Sequence, residues 1–150
     1  MNTIRKGWKD MELDKEFINL RIDVIERNLA EIQEITAEGY SHFKSNYRDE
    51  LAAKQALLES IEACIDISNY IISTQGFRRP MDYKDIFLIM GEQDILDKTL
   101  SRKMQEMAKF RNVLVHRYIN IENERLFQLM ENETSDFKEF IRQILDYLNR

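Results

Sequence analysis

Apolar residues recur at helical spacing along most of this chain, and this periodicity limits the fold more than any other feature of the sequence. Pro80 is the only proline and there are four glycines, so little in the sequence interrupts helix formation. Two long amphipathic helices are predicted over residues 12–36 and 47–74. Their predicted inward residues are Leu13, Phe17, Ile18, Leu20, Ile22, Val24, Ile25, Leu29 and Ile32 in the first helix and Leu51, Leu57, Leu58, Ile61, Cys64, Ile65, Ile71 and Ile72 in the second.

The rest of the chain continues the helical pattern. Gly39 is expected to end the first helix, and residues 40–46 form a polar connection whose aromatic residues could cover a core edge. A short helix over residues 83–90 is expected to stop at Gly91, and a longer helix follows over residues 93–118. Beyond a break near Asn120, two helical segments are expected with Thr134 or Ser135 as the N-cap between them, or alternatively one kinked helix. The predicted architecture is all-α, an antiparallel four-helix bundle with a short additional helix in the crossover.

Length and composition set the class of protein. The 150 residues are enough for one domain, which we place at residues 11–150 behind a flexible leader of residues 1–10. The lone Cys64 lies in an apolar helical run and can form no intramolecular disulfide, which favours a reducing compartment; a small buried apolar residue is the simpler interpretation. No apolar run reaches the roughly 18 residues of a membrane span, and no signal peptide is visible. A cytoplasmic protein with no membrane association is therefore expected.

Charge is unevenly distributed along the chain. The net charge of −5 argues against indiscriminate coating of nucleic acid, because neutralising phosphates requires an excess of Lys and Arg. Residues 98–118 nevertheless contain six basic residues and one acid, Glu106. A solvated helix face would give the same numbers. Both interpretations therefore remain open for this segment, whose basic residues are Lys98, Arg102, Lys103, Lys109, Arg111 and Arg117.

Few kinds of chemistry fit this composition. Two histidines, His42 and His116, and one cysteine cannot supply a zinc site, and the Glu-x-x-His pairs of di-iron bundles are missing. The sequence has no glycine-rich phosphate loop and no strand-to-helix elbow for a Ser-His-Asp triad. We therefore expect no metal and no cofactor. What remains is general acid–base chemistry centred on His116.

The residues around His116 could act on a phosphodiester. On a helix, Asn112 and His116 lie four residues apart and share a stripe that faces away from the core, with Arg111 at the core's edge. Histidine exchanges a proton near neutral pH, and the arginine fork matches phosphate oxygens. Cleavage of RNA needs a base, a cation and an acid, and no metal. The alternative is that His116 is a hydrogen-bonded residue at a helix end, favoured by the helix dipole.

Two further groups of polar residues are candidates for supporting roles. Glu59, Glu62, Asp66 and Asn69 form a polar stripe on the second helix. Asp66 or Asn69 could reach the Arg111 and His116 site, although we favour a solvated face for the stripe. The loop residues Arg78 and Arg79 could contact phosphate or could simply keep a turn soluble. Of the basic residues elsewhere, Lys109 and Arg117 are also candidate RNA contacts.

The segment from Arg111 to Tyr118 resembles the Arg-x4-His-x-Tyr motif of the HepT-like toxins, a branch of the HEPN ribonuclease superfamily. The resemblance covers roughly residues 11–149. It includes the opening Leu13-Asp14-Lys15 helix, residues 63–69 before the loop at residues 76–80, the 83–90 helix and residues 104–110 leading to the motif. Only the leader does not match the family pattern.

The resemblance implies a homodimer of helical bundles whose two motifs meet in a basic cleft. It also implies a metal-independent endoribonuclease that leaves a 2′,3′-cyclic phosphate on tRNA or mRNA. By position, His116 is the implied general acid or base, Arg111 the phosphate contact and Asn112 the orienting residue. Tyr118 is the implied site at which a partner, a minimal nucleotidyltransferase of the MntA type, transfers AMP and silences the toxin.

The alternative from another functional class is a non-catalytic helical adaptor. Such a protein would bind nucleotide or RNA, or would serve as the docking subunit of a nucleotidyltransferase complex. The intact motif favours the toxin. Together, the motif and the resemblance predict a two-component toxin–antitoxin pair of which this chain is the ribonuclease.

Overall fold

The computed structural model describes residues 13–116 and 121–150, and this part of the chain forms six helices and no strand. The predicted leader, residues 1–10, lies outside the described residues. Four helices are long and two are short, so the predicted all-α bundle is confirmed. The helices are α1 (Lys15–Ala37), α2 (Tyr40–Lys44), α3 (Tyr47–Gln75), α4 (Tyr83–Glu92), α5 (Lys98–Val115) and α6 (Asn123–Leu148).

Helix α1 runs antiparallel to α3. The backbone N–H of Asp14 donates to the Tyr70 hydroxyl at 2.7 Å, and Asn28 Nδ2 donates to a Glu59 carboxylate oxygen at 3.1 Å. Between these contacts Arg21 lies 3.6 Å from Asp66. Residue numbers therefore rise along α1 as they fall along α3, which is the antiparallel pairing that the sequence predicts.

Helices α5 and α6 form a second antiparallel pair. Asp97, just before α5, is hydrogen-bonded to Gln143, and Lys103 Nζ lies 3.5 Å from a carboxylate oxygen of Asp136. Helix α4 packs closely on α5, and both also contact α3. The catalytic candidate Arg111 therefore belongs to a helix that is fixed on three sides.

Side-chain caps mark where the helices begin. Asp14, Asn46, Asp82 and Asp97 each accept a hydrogen bond from the backbone N–H three residues later, which satisfies one of the donors that a helix start leaves unpaired. The sequence predicts that the helix after the short one begins at residue 93, but this helix, α5, begins at Lys98 because Asp97 caps it.

Helix α6 is continuous, so of the two predicted alternatives the one with two segments separated at Thr134 or Ser135 is wrong, and a single helix forms. The Ser135 hydroxyl donates to the Asn132 carbonyl at 3.5 Å within the helix. A residue of a type that favours caps is thus accommodated inside a helix by bonding to the preceding turn.

The core is built from the apolar stripes of the four long helices. Most of the predicted inward residues are buried, including Ile18, Ile25, Ile61 and Ile71. Four others are half-buried, and two are exposed, Leu20 by 55% and Leu51 by 49%, on the outer flanks of α1 and α3. The predicted polar connection at residues 40–46 contains helix α2, whose Phe43 is fully buried against Phe127 of α6. As expected, this segment covers an edge of the core.

Gly91 allows the close approach of α4 and α5 and does not end α4. It is buried inside the helix, which runs on to Glu92. A Cβ atom at this position would lie 2.5 Å from the Ser101 Oγ and 2.8 Å from the Ser101 Cβ. Ser101 itself donates from Oγ to the Phe87 carbonyl at 2.8 Å, so the two helices meet through a glycine and a serine.

No helix in the described ranges is long and apolar enough to cross a membrane.

Candidate active site

The candidate motif lies at the C-terminal end of α5. Helix α5 ends at Val115 and not at residue 118 as predicted, and His116 is its C-cap, with φ −81° and ψ 112°. A side chain is placed by the preceding backbone and by its own φ, so His116 keeps nearly the helical direction. Its φ is close to the helical value. Asn112 and His116 therefore still share a face.

Asn112 and His116 are exposed, as the sequence predicts for residues that face away from the core. On the opposite side of α5, Leu100, Met104, Met107 and Ala108 are buried. Both residues therefore lie at the surface of the described structure, at the end of α5.

Arg111 is placed differently from its neighbours. Its side chain is only 20% exposed, and its Cζ lies 4.7 Å from the centre of the Tyr83 ring, at the start of α4. An Arg111 Nη2 lies 3.9 Å from a Glu62 carboxylate oxygen of α3. The guanidinium is thus held at the edge of the core by residues from two other helices, which agrees with its predicted location.

Of the polar stripe on α3, Glu62 lies beside Arg111, and Asp66 and Asn69 do not. Asp66 lies 3.6 Å from Arg21 of α1. Asn69 is exposed on the next turn, and it lines surface grooves beside Asp66 and beside Tyr83. The polar stripe lies along α3 as predicted. The member that reaches Arg111, however, is Glu62, one turn before Asp66.

The candidate RNA contacts differ in whether their charged groups are paired with carboxylates. Arg78 donates from Nη1 and Nη2 to the two carboxylate oxygens of Asp85 at 2.8 Å and from Nε to Glu92 at 3.0 Å. Lys109 lies 2.9 Å from Glu106 on the surface of α5. Arg79 is exposed and has no ion pair with any residue in the described ranges. Arg117 and Tyr118 lie outside the described residues.

Within the described part of the chain, no group of three or more His, Cys, Asp or Glu side chains is arranged to hold a metal ion. Cys64 is fully buried, and burial raises the pKa of its thiol well above the usual value. Its side chain therefore packs as an apolar group, in agreement with the simpler interpretation of the sequence.

The comparison with known families agrees with this geometry. The family described as ribonuclease HepT-like matches residues 25–144, which include the site residues on α3, α4 and α5. The chain belongs to the HepT-like ribonuclease family. The resemblance seen in the motif is thereby confirmed over most of the chain.

Two relatives of this HepT-like chain have functional names. The mRNA nuclease HepT of Shewanella oneidensis is 28% identical over 121 residues, which cover 81% of this chain and 90% of the relative. The tRNA nuclease HepT of Aphanizomenon flos-aquae is 24% identical over 136 residues, which cover 91% and 92% of the two chains. Both alignments span nearly the whole of the relative.

A solved structure shows the same fold. The tri-AMPylated Shewanella oneidensis HEPN toxin, in complex with MNT antitoxin, superposes with a TM-score of 0.81 at 28% identity. The superposition covers 87% of this chain and 97% of that one. The all-α HEPN fold predicted from the sequence is confirmed.

The sequence does not predict two neighbours of Arg111. Glu62 belongs to the predicted polar stripe, but periodicity gives the face of a helix and not its depth against the next helix. For Tyr83 the sequence predicts only that it begins a short helix. A cap signal at Asp82 could have fixed the start of α4, but only the packing of α4 on α5 places the Tyr83 ring on Arg111.

Proposed function

We propose that this HepT-like chain is the toxin of a toxin–antitoxin pair, a metal-independent endoribonuclease that cleaves tRNA or mRNA. The observation that carries the proposal is the end of α5, where the half-buried Arg111 stands beside the exposed Asn112 and His116. Membership of a ribonuclease family and the names of its relatives support the same activity.

In the proposed reaction the substrate supplies the nucleophile. As a general base, His116 takes the proton of an RNA 2′-hydroxyl while water protonates the leaving 5′-oxygen; as a general acid, it protonates the leaving 5′-oxygen while water takes the 2′-hydroxyl proton. The 2′-oxygen forms a bond to phosphorus and the bond to the 5′-oxygen breaks, which leaves a 2′,3′-cyclic phosphate and a 5′-hydroxyl. Arg111 stabilises the charge on the phosphoryl oxygens, and Asn112 orients the phosphate by hydrogen bonding.

The proposed assembly is a homodimer in which two copies of the motif form one cleft. The exposure of Asn112 and His116 at a helix end supports it, because these side chains face away from the core of their own subunit. Arg79 and Lys109, outside the motif, and Arg117, within it, are proposed to contact RNA. Arg78 is a weaker candidate, because its donors are already bound to Asp85 and Glu92.

The proposed partner is a minimal nucleotidyltransferase of the MntA type, which silences the toxin by transferring AMP to Tyr118. The related toxin of Shewanella oneidensis is tri-AMPylated and in complex with MNT antitoxin, which supports this regulation here. Each added phosphate would bring negative charge to the vicinity of Arg111 and would repel RNA.

The test of catalysis compares matched histidine variants. Expression of the wild type should arrest growth and degrade RNA, and His116→Ala should abolish both. His42→Ala is the control, because His42 is the other histidine of the chain and lies on α2 beside Glu38 and Asp49. A harmless wild type that leaves RNA intact but binds a nucleotidyltransferase would instead favour the non-catalytic adaptor.

The test of silencing is intact mass after co-expression with the cognate nucleotidyltransferase. The wild type should gain the mass of one or more AMP groups, and Tyr118→Phe should gain none. Unchanged mass of the wild type, or AMP addition that persists in Tyr118→Phe, would contradict the proposed modification site.

A further inference from the structure

We infer that Tyr83 is a positioning residue for the reaction, whose ring fixes the guanidinium of Arg111 in the orientation that receives the scissile phosphate. The inference rests on the proposed ribonuclease function and adds a residue outside the Arg-x4-His-x-Tyr motif. Tyr83 is the first residue of α4, whereas the motif lies at the far end of α5.

The contact between the two side chains is electrostatic and uses no hydrogen bond. The Arg111 Cζ lies 4.7 Å from the Tyr83 ring centre, within the range in which a ring face attracts a cation. A ring orients the guanidinium without accepting any of its N–H groups. The donors that would bind a phosphate are therefore left available while the plane of the fork is fixed.

The burial of Arg111 increases the need for such a support. Its Nε is buried and has no hydrogen-bond partner among the residues that the structure describes. Leaving a charged donor unsatisfied is costly, and such a group tends to turn toward solvent or toward an acceptor. The Tyr83 ring compensates part of that cost and keeps the side chain in place.

The second neighbour of Arg111 does not replace the ring. Glu62 Oε2 lies 3.9 Å from Arg111 Nη2, which is too long for a hydrogen bond, and the Glu62 side chain is 47% exposed. A solvated carboxylate at this distance contributes little binding energy. A phosphate can therefore displace it, whereas the ring contact persists when substrate binds.

The experiment compares Tyr83→Phe, which keeps the ring, with Tyr83→Leu, which removes it. We expect Tyr83→Phe to retain the kcat of the wild type and Tyr83→Leu to lower it about tenfold, with KM changed less than about twofold. The matched control is Tyr47→Leu, since Tyr47 is also exposed and is also the first residue of a helix. This control should leave both constants unchanged.

A spectroscopic measurement separates positioning from loss of fold. In ¹⁵N-labelled protein, the Arg111 Nε–Hε resonance, assigned by its disappearance in Arg111→Lys, should be shifted upfield by the ring current of Tyr83. The shift should persist in Tyr83→Phe and disappear in Tyr83→Leu. Equal kcat in the wild type and Tyr83→Leu, or equal damage by Phe and Leu, would overturn the inference.

The two proposals can fail separately. A wild type that shows the shifted resonance but cleaves no RNA contradicts the ribonuclease function and not the ring contact. In that case the positioning role is tested by the resonance alone. An Arg111 Nε–Hε shift that is the same in the wild type and in Tyr83→Leu would then overturn it.

Discussion

Gln143 and Asp97 are joined by two hydrogen bonds that tie the C-terminal half of α6 to the start of α5. The Asp97 backbone N–H donates to Gln143 Oε1, and Gln143 Nε2 donates to Asp97 Oδ2, both at 2.8 Å. Asp97 also accepts from the Leu100 N–H through its other carboxylate oxygen. The cap that begins the motif-bearing helix is therefore itself held by a buried amide of α6.

Substitution of this amide should destabilise the bundle. Gln143→Leu keeps a side chain of similar size but removes both bonds to Asp97, and we expect the free energy of unfolding to fall by about 1–2 kcal/mol. Denaturant unfolding measures it. Gln128→Leu is the control, because Gln128 is exposed on the same helix. Equal stability of Gln143→Leu and the wild type would contradict a structural role for the amide.

Arg78 and Arg79 should respond differently to alanine substitution. Arg78→Ala should lower Tm, because Asp85 and Glu92 lose their shared partner, and should change RNA affinity little. Arg79→Ala should leave Tm unchanged and weaken RNA binding, most strongly at low salt. Thermal unfolding and RNA titration of the two variants test this. The opposite assignment, with RNA binding lost in Arg78→Ala alone, would contradict it.

The stability of the Arg78 contact should depend on pH in a defined direction. Hydrogen bonds from Arg78 lower the pKa of Asp85, so the folded state favours the ionised carboxylate. The contribution of this contact to the free energy of unfolding is complete above the usual aspartate pKa. It is lost as the pH falls through the lowered pKa of Asp85. The Tm difference between the wild type and Arg78→Ala should therefore shrink at the acidic end of that range. A constant difference would contradict the linkage.

Glu133 is expected to reduce stability at neutral pH. Burial and a hydrogen bond with Asp136 raise its pKa, and it lines a cavity of about 200 Å³ between α3, α5 and α6. Because the folded state favours the protonated form, ionisation above the raised pKa costs free energy. Glu133→Gln should raise Tm by roughly 1–3 °C at pH 7. The gain should disappear below the usual glutamate pKa.

The control for this prediction is Glu131→Gln, an exposed position on the same helix. Its Tm should follow that of the wild type at every pH. A Glu133→Gln variant that is less stable than the wild type at pH 7 would mean that the carboxylate of Glu133 is favourable when ionised.

The sequence was sufficient for the helices and their pairing, because each long helix carries its own apolar stripe. It was insufficient where the packing of other helices decides the outcome. Leu20 and Leu51 have helical spacing and yet are exposed, since none of the residues that the structure describes covers their flanks. Ser135 looks like a cap and yet lies inside α6, where packing of Phe137 and Phe140 in the core outweighs the local preference.

At the candidate site, too, some residues could be predicted from the sequence and others depend on how the helices pack. The motif fixed Arg111, Asn112 and His116 as candidates, because helical geometry relates residues four apart. The neighbours of Arg111 come from α3 and α4, and the depth at which these helices cross α5 depends on side chains along their whole length. A sequence pattern could therefore give the stripe that contains Glu62, but not which of its turns meets the guanidinium.

The central claim is that the protein is a ribonuclease that needs the RNA 2′-hydroxyl and no metal. It is tested most directly with one labelled RNA, a 2′-deoxy variant of that RNA, and His116→Ala protein. Purified wild-type protein should cleave the RNA equally well in EDTA and leave a 2′,3′-cyclic phosphate, seen by mass spectrometry. A single 2′-deoxy substitution at the cleaved nucleotide should abolish cleavage at that site, and His116→Ala should abolish cleavage of the unmodified RNA. Cleavage that requires a divalent cation, or that continues at the 2′-deoxy nucleotide, would contradict the account.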